Sequence, residues 1–220
     1  MTSVYTTSIA DCFRDVNFIV DSSGSINHRD PGNYDKSLEF VADVVRAFDI
    51  GPDDVQVSFV LFSEEATVEW GLTDYPDKED LVREILAMRY LGRYTNLNDA
   101  LYLTRTKVYA PGAGVREGSV KATVILTDGV DNRPEEGTPL TIQNATLCKE
   151  DGIWLIAVAV TDGVDEARLH EIIASPLDYY KVDDFDALTN IVESIKSKIC
   201  LGPVHLQCKF YLIYIFMLCK

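Results

Sequence analysis

The stretch Val16-Asn17-Phe18-Ile19-Val20, followed at once by Asp21-Ser22-Ser23-Gly24-Ser25, decides the fold. The first five residues are mostly apolar and predict a short buried strand. The next five are oxygen-bearing or small and predict a loop. Asp21, Ser23 and Ser25 alternate along that loop, so we expect their side chains to converge on one point. The same residue types also suit a helix N-cap and turn, and that alternative stays open.

A second acidic loop follows another apolar run. Ala122–Leu126 predicts a strand, and Thr127-Asp128-Gly129 comes directly after it. In open α/β sheets, ligands bind just beyond the carboxyl ends of the strands. Hydroxyl and carboxylate oxygens suit Mg²⁺, Ca²⁺ or Mn²⁺ rather than zinc or copper. The two loops together therefore predict a hard divalent cation shared between them.

Apolar runs alternate with segments of helical periodicity along the rest of the chain. This pattern predicts a three-layer, doubly wound α/β fold. We expect a mostly parallel six-stranded sheet with one antiparallel edge strand and helices on both faces. The predicted strands are Val16–Val20, Val55–Phe62, Ala66–Leu72, Val120–Leu126, Ile153–Val160 and Tyr179–Val182. The predicted helices are Tyr34–Phe48, Asp80–Tyr90, Asn98–Tyr109, Pro139–Glu150, Asp165–Ala174 and Phe185–Ile199, and Gly112–Gly118 is expected to be a surface loop.

Length and charge restrict the classes of partner. A chain of 220 residues can hold one sizeable core, and its formal net charge of −15 offers no basic stripe to nucleic acid or to an anionic membrane. We expect residues 1–14 to form an N-terminal flank, 15–200 a single domain and 201–220 a tail outside the fold. The apolar run Phe210–Leu218 is much shorter than the roughly 20 residues of a membrane-spanning helix, so no membrane insertion is expected.

The cysteines and the chain start bear on the cellular compartment. Cys12 and Cys200 lie at the two edges of the predicted domain, which suggests a terminal disulfide, with two reduced thiols as the alternative. The pairing of Cys148, Cys208 and Cys219 is left open. The sequon at Asn144 weakly favours the secretory route. The segment 1–10 lacks the features of a signal peptide, so we expect a fragment of a larger secreted protein, an isolated domain or a cytosolic protein.

The two acidic loops, taken with a third, resemble the von Willebrand factor type A domain, also called the integrin I-like domain. The metal-ion-dependent adhesion site of that family is an Asp-x-Ser-x-Ser loop, a Thr in a later loop, and an Asp in a Thr-Asp-Gly loop. The matching positions are Asp21, Ser23, Ser25, Thr95 and Asp128. The resemblance is greatest to the extracellular-matrix branch, as in collagen VI, matrilins and cochlin, whose domains are similarly bracketed by cysteines.

The resemblance implies a function in adhesion. It implies Mg²⁺, or Mn²⁺ or Ca²⁺, contacted directly by the hydroxyls of Ser23, Ser25 and Thr95, with Asp21 and Asp128 acting largely through waters. The expected partner is an acidic side chain of a matrix or cell-surface protein such as collagen, and the expected location is the extracellular matrix. Four residues near these loops are candidates for contacting the partner: His28, Arg29, Arg93 and Tyr94.

Two other functions stay open. One is a structural matrix module that keeps the metal site without using it, because many domains of this family bind through other faces. A magnesium-dependent hydrolase requires a base near Asp21, and the sequence offers none. The histidines, among them His28 and His170, show no metal spacing and no nucleophile partner. We therefore expect a binding protein and not an enzyme.

Overall fold

The computed structural model describes residues 12–129, 137–161 and 163–203, and these build one six-stranded sheet. The strand order is β3-β2-β1-β4-β5-β6, and every neighbouring pair is parallel except β2 with β3. This confirms the predicted fold class. The strands are β1 (Arg14–Asp21), β2 (Val55–Phe62), β3 (Ala66–Trp70), β4 (Val120–Thr127), β5 (Ile153–Val160) and β6 (Tyr179–Val182).

Among the described residues, six α-helices cover the two faces of the sheet. They are α1 (Asn33–Arg46), α2 (Lys78–Leu86), α3 (Leu97–Leu103), α4 (Gly137–Glu150), α5 (Glu166–Ile172) and α6 (Val192–Leu201). The apolar faces of α1, α2 and α6 form one core with Val16, Phe18 and Val20, while α3, α4 and α5 form the other core with Ile19. Successive residues of a strand point to opposite faces, so β1 serves both cores at once.

Two predicted helices are wrong in their details. The segment Phe185–Ile199 is not one helix, because a 3-10 helix over Asp186–Ile191 precedes α6. Ile191, the last residue of the 3-10 helix, has φ −108° and ψ 0°, which lies outside α-helical geometry and separates the two pieces. Apolar spacing over a single short turn does not distinguish a 3-10 helix from an α-helix, so the sequence pattern could not show this break.

The segment Asn98–Tyr109 also contains a break that the sequence pattern hides. After α3 the chain makes a π-helical turn over Thr104–Val108, in which the amide of Tyr109 donates to the carbonyl of Thr104 over 2.9 Å. The buried side chain of Asn17 reaches this turn, since its Nδ2 donates to Thr104 Oγ1 over 3.0 Å. A polar residue in the middle of β1 is thus explained by the helix that crosses it.

The predicted surface loop Gly112–Gly118 supplies a buried ion pair at the amino ends of the strands. Arg116 Nε lies 2.8 Å from Asp15 Oδ1, and the Asp15 side chain is fully buried. The same guanidinium donates to backbone carbonyls of Arg14 and Asp54 over 2.7 and 3.0 Å. Arg116 therefore joins the beginnings of β1 and β2.

The two ends of the described domain are joined covalently. A disulfide links Cys12 to Cys200 across a sequence separation of 188. Arg14 adds to this connection by donating to the carbonyls of Ile199 and Cys200 over 3.0 and 2.6 Å. Within the described ranges, no helix combines the length and apolar character that crossing a membrane requires. Cys208, Cys219 and the run Phe210–Leu218 lie outside the described residues.

Candidate metal centre

Asp21 is the last residue of β1, and both of its carboxylate oxygens are held in place. Oδ1 accepts from the amide of Ser23 over 2.8 Å, and Oδ2 accepts from the hydroxyl of Thr127 over 2.6 Å. Thr127 ends β4, the strand beside β1. Because the carboxyl ends of neighbouring parallel strands meet at one edge of the sheet, the two acidic loops lie side by side as predicted.

A chain of hydrogen bonds links the two loops above Asp21. Ser25 Oγ donates to Asp128 Oδ1 over 2.7 Å, and it lies 3.0 Å from Ser23 Oγ. Since the Ser25 proton is directed to the carboxylate, Ser23 is the donor in the second bond. Four of the five predicted ligands, Asp21 included, are thus joined by direct contacts or through Thr127.

The loop that carries the fifth residue, Thr95, is pressed against the first loop. The amide of Gly24 donates to the carbonyl of Arg93 over 2.7 Å. A Cβ atom at Gly24 would lie 3.4 Å from the backbone oxygens of both Gly92 and Arg93. A side chain at position 24 would therefore press against the backbone of the Thr95 loop, and glycine leaves room for the two backbones to approach.

Two buried serines outside the predicted ligand set fix the position of the Thr95 loop. Ser22 Oγ accepts from the amide of Leu91 over 2.8 Å. Ser63, directly after β2, accepts from the amide of Arg93 and donates to the carbonyl of Tyr94, both over 3.0 Å. Both serines are almost completely buried. Sequence reasoning missed Ser63 and treated Thr127 only as part of a motif, because their roles arise from contacts between loops that are far apart in the chain.

The loops surround an open cavity of about 330 Å³ at the carboxyl edge of the sheet. Ser25, Thr95 and Asp128 line it, and Thr95 is only 3% exposed. Thr161, directly after β5, also lines the cavity and has a φ of 74°. Positive φ in a β-branched residue is strained, and such strain is concentrated at functional sites. The cavity's remaining lining residues are Ile26, His28, Arg29, Asn33, Gly129, Gly163 and Phe185.

Burial disfavours the ionised form of both carboxyl groups of the site. Burial, followed by repulsion from Asp128, raises the pKa of Asp21 to about 7. Burial also raises the pKa of Asp128, although the Ser25 hydroxyl and the charge of Arg29 act in the opposite direction. A nearby cation would favour the charged form of both groups.

The residues present therefore fit a hard divalent cation. Hydroxyl and carboxylate oxygens are the ligands that Mg²⁺, Mn²⁺ and Ca²⁺ prefer, and a bound cation would offset the burial that raises the pKa of both carboxyl groups. The described residues contain no cluster of three or more His, Cys, Asp or Glu side chains able to hold a metal. The site instead combines two carboxylates with hydroxyls.

The predicted partner-contacting residues divide into two pairs. His28 and Arg29 line the cavity beside Asp128. Arg93 and Tyr94 do not line it: the Arg93 guanidinium pairs with Glu64 over 3.3 Å, and the Tyr94 side chain is exposed. The predicted glycosylation residue, Asn144, lies on α4, where its Nδ2 donates to Asn98 Oδ1 over 2.7 Å. A glycan would replace one of the two hydrogens on that nitrogen, so the bond to Asn98 would depend on the other hydrogen.

Comparisons with known proteins agree with this geometry. The family model described as the von Willebrand factor type A domain matches residues 15–194. The chain is 32% identical to the collagen alpha-1(XII) chain of Notophthalmus viridescens over 84% of its own length and 19% of the collagen's. It is 25% identical to matrilin-1 of Gallus gallus over 89% of its length and 38% of matrilin-1. It thus spans less than half of these relatives.

A solved structure shares both the fold and part of the sequence. It is described as proximal thread matrix protein 1 from the mussel byssus with a zinc-occupied MIDAS motif, and it matches with a TM-score of 0.76 and 30% identity. The alignment covers 86% of this chain and 47% of that one. With a family model that matches most of the chain and a fold and site geometry that agree with it, this chain belongs to the von Willebrand factor type A domain family.

Proposed function

We propose that this chain is an extracellular binding module that captures an acidic side chain of a matrix or cell-surface protein through a divalent cation. The cation would be Mg²⁺, or Mn²⁺ or Ca²⁺, held by Ser23, Ser25 and Thr95 with support from Asp21 and Asp128. The observation that carries the proposal is the hydrogen-bonded series Ser23–Ser25–Asp128, which opens into the cavity that Thr95 also lines.

Each residue of the site has a separate task in this proposal. When bound, a divalent cation supplies a positive centre with a coordination position for an outside carboxylate oxygen. The hydroxyls of Ser23 and Ser25 contribute oxygen without cancelling that charge. Asp21 is held next to the hydroxyls by Thr127 and by the amide of Ser23, and the charge of the cation would keep it ionised there. No bond is made or broken, and the module is not an enzyme.

The relatives support the location and the class of partner. Collagen and matrilin chains contain the matching domain, and the mussel thread protein is described with a metal in its MIDAS motif. We propose by analogy that this chain acts in the extracellular matrix as part of a longer protein, with a partner such as collagen. The disulfide between Cys12 and Cys200 fits an oxidising compartment.

A binding assay with immobilised collagen tests the proposal. We expect binding in Mg²⁺ that is lost in chelator, and we expect Thr95→Ala to abolish it while the thermal unfolding of the variant stays cooperative. Thr106→Ala is the control, because Thr106 is a half-buried threonine away from the cavity whose hydroxyl donates to the carbonyl of Tyr102 over 2.7 Å. Collagen binding that is equally strong in chelator would contradict the proposal and favour a structural module with an unused site.

A further inference from the structure

We infer that the ligand of this site carries two negative groups and that Arg29 binds the second of them. This inference deepens the proposed function and rests on it. It assigns the ligand class as a segment with paired acidic groups, rather than one with a lone acidic side chain. Arg29 lines the same cavity as Ser25, Thr95 and Asp128. The cavity therefore offers a ligand two anchors, which are the proposed cation and the Arg29 guanidinium.

The backbone on either side of Arg29 is fixed. Asn27 Oδ1 accepts from the amide of Tyr34 over 2.8 Å, at the beginning of α1. Asn33 Nδ2, buried in the first turn of α1, donates to the carbonyl of Ile26 over 2.9 Å. These two bonds tie the chain just before Arg29 to the first turn of α1, which follows the loop, so the two ends of the loop are held together. A fixed backbone holds the Cα atom of Arg29 beside the cavity. This lowers the entropic cost of ordering the Arg29 side chain around a ligand.

The acidic residue next to Arg29 is committed elsewhere. Asp30 Oδ1 accepts from the amide of Gly32 over 2.9 Å, and Asp30 Oδ2 pairs with Lys36 over 3.2 Å. Lys36 in turn pairs with Asp186 over 3.0 Å. The Arg29 guanidinium makes no hydrogen bond or ion pair with any described residue, and the charge it acts on is that of Asp128.

Asp128 is also the sole carboxyl group among the described residues that line the cavity. In the proposed function Asp128 is engaged as part of the metal site. No other carboxylate among the described residues that line the cavity is then available to Arg29. A second acidic group on the ligand would pair with the Arg29 guanidinium. Arginine suits this task because its planar guanidinium binds a carboxylate through two parallel hydrogen bonds.

Arg93 is the natural control for Arg29 within the same protein. It also lies near the metal site, but its guanidinium already pairs with Glu64 and does not line the cavity. Removing Arg93 therefore deletes the same charge from the same edge of the sheet without removing the second anchor. Arg29→Ala and Arg93→Ala form a matched pair that separates a contact in the cavity from a general change in surface charge.

Arg29 should affect the affinity for Mg²⁺ and the affinity for the acidic ligand in opposite directions. As a positive charge near Asp128, Arg29 repels a divalent cation, so Arg29→Ala should bind Mg²⁺ more tightly than the wild type. As the second anchor, it attracts the ligand, so Arg29→Ala should bind a doubly acidic ligand less tightly. A residue with only a structural role would shift both affinities in the same direction or neither.

Calorimetry on the folded chain tests both effects. The probes are Mg²⁺ alone and, in saturating Mg²⁺, two capped peptides that differ only in carrying one glutamate or two. We expect the wild type to prefer the doubly acidic peptide, and Arg29→Ala to lose that preference, a fall of roughly three- to tenfold in affinity. Arg29→Lys should retain part of the preference, and Arg93→Ala should retain all of it.

The outcomes distinguish the two proposals. No Mg²⁺ binding by the wild type would remove the proposed function and this inference with it. Magnesium-dependent binding of both peptides with equal affinity by the wild type, or with a preference unchanged in Arg29→Ala, would overturn the inference alone. A preference lost in Arg29→Ala together with tighter Mg²⁺ binding by that variant would support it.

Discussion

Asp21 is a residue whose charge opposes folding until a cation is present. Its pKa is raised from 3.8 to about 7 in the folded protein. Above its ordinary pKa the unfolded chain ionises this group freely, whereas the folded protein resists ionisation. Its contribution to stability therefore becomes more unfavourable as the pH rises from about 4 through about 7. Below pH 4 the group is protonated in both states and the difference disappears.

The substitution Asp21→Asn tests this at the level of one residue. Asparagine can still accept from the amide of Ser23, and Thr127 can turn its proton to the carbonyl of Gly129, 2.8 Å away. In chelator at pH 8 we expect the variant to unfold at a temperature higher than the wild type by roughly 3 °C or more. The advantage should shrink as the pH falls towards 4. Excess Mg²⁺ should stabilise the wild type only. An Asn variant that is less stable than the wild type at pH 8 in chelator would show that the charge of Asp21 does not oppose folding.

At the scale of secondary-structure elements, the loop between the π-helical turn and β4 holds the amino ends of β1 and β2 together through Arg116. In Arg116→Ala the fully buried carboxylate of Asp15 would lose its ionic partner. Breaking a buried pair by removing one member costs about 3–5 kcal/mol. We expect that loss in urea unfolding, with Mg²⁺ affinity unchanged because the pair lies at the opposite edge from the site.

Arg83→Ala is the control for this substitution. Arg83 pairs with Asp80 over 2.6 Å, but the Arg83 side chain is 66% exposed, and such pairs contribute about 1 kcal/mol or less. Equal destabilisation by the two variants would show that burial of the Asp15 pair has no special weight.

Sequence reasoning succeeded where the physical signal is local. The bounds of β2, β5 and β6 were predicted to the residue, and for β2 and β5 the reason is that long apolar or alternating runs define buried strands. The mostly parallel pairing of the strands followed from the alternation of strands and helices, and the antiparallel edge strand followed from the predicted hairpin. It failed for Ser63 and Arg116, which hold loops together through partners at least 30 residues away in sequence. No periodicity or spacing within the chain encodes such contacts.

The candidate site shows the same division. Asp21, Ser23, Ser25 and Asp128 come together as the motif predicted, since two neighbouring strands end at them. The sequence did not separate Arg29 from Arg93, because both are arginines in loops near the motif. The difference lies in Glu64, which pairs with Arg93 and leaves Arg29 to the cavity. Side-chain partners of this kind are decided by tertiary packing alone.

At the scale of the whole molecule, the disulfide between Cys12 and Cys200 joins the beginning of the sheet to the last helix. A bond that closes so long a loop contributes about 5 kcal/mol in the chain-entropy model. We expect the double variant Cys12→Ser with Cys200→Ser to unfold roughly 10 °C or more below the wild type. The buried Cys148 reports whether the native fold persists, because burial raises the pKa of its thiol to about 12.

Mass spectrometry of the Cys148 peptide after treatment with iodoacetamide at pH 8 completes that test. In both proteins we expect Cys148 to stay unmodified well below the unfolding temperature and to react once the chain unfolds. An unfolding temperature that does not change on loss of the disulfide would contradict its assigned role.

The central claim is that one divalent cation binds between the loops that end β1 and β4. Isothermal titration of Mn²⁺ into chelator-treated protein measures it directly. We expect one binding site in the wild type, and loss of that site in Ser25→Ala, which removes the hydroxyl between Ser23 and Asp128. A silent titration of the folded wild type, or an unchanged titration of Ser25→Ala, would contradict it.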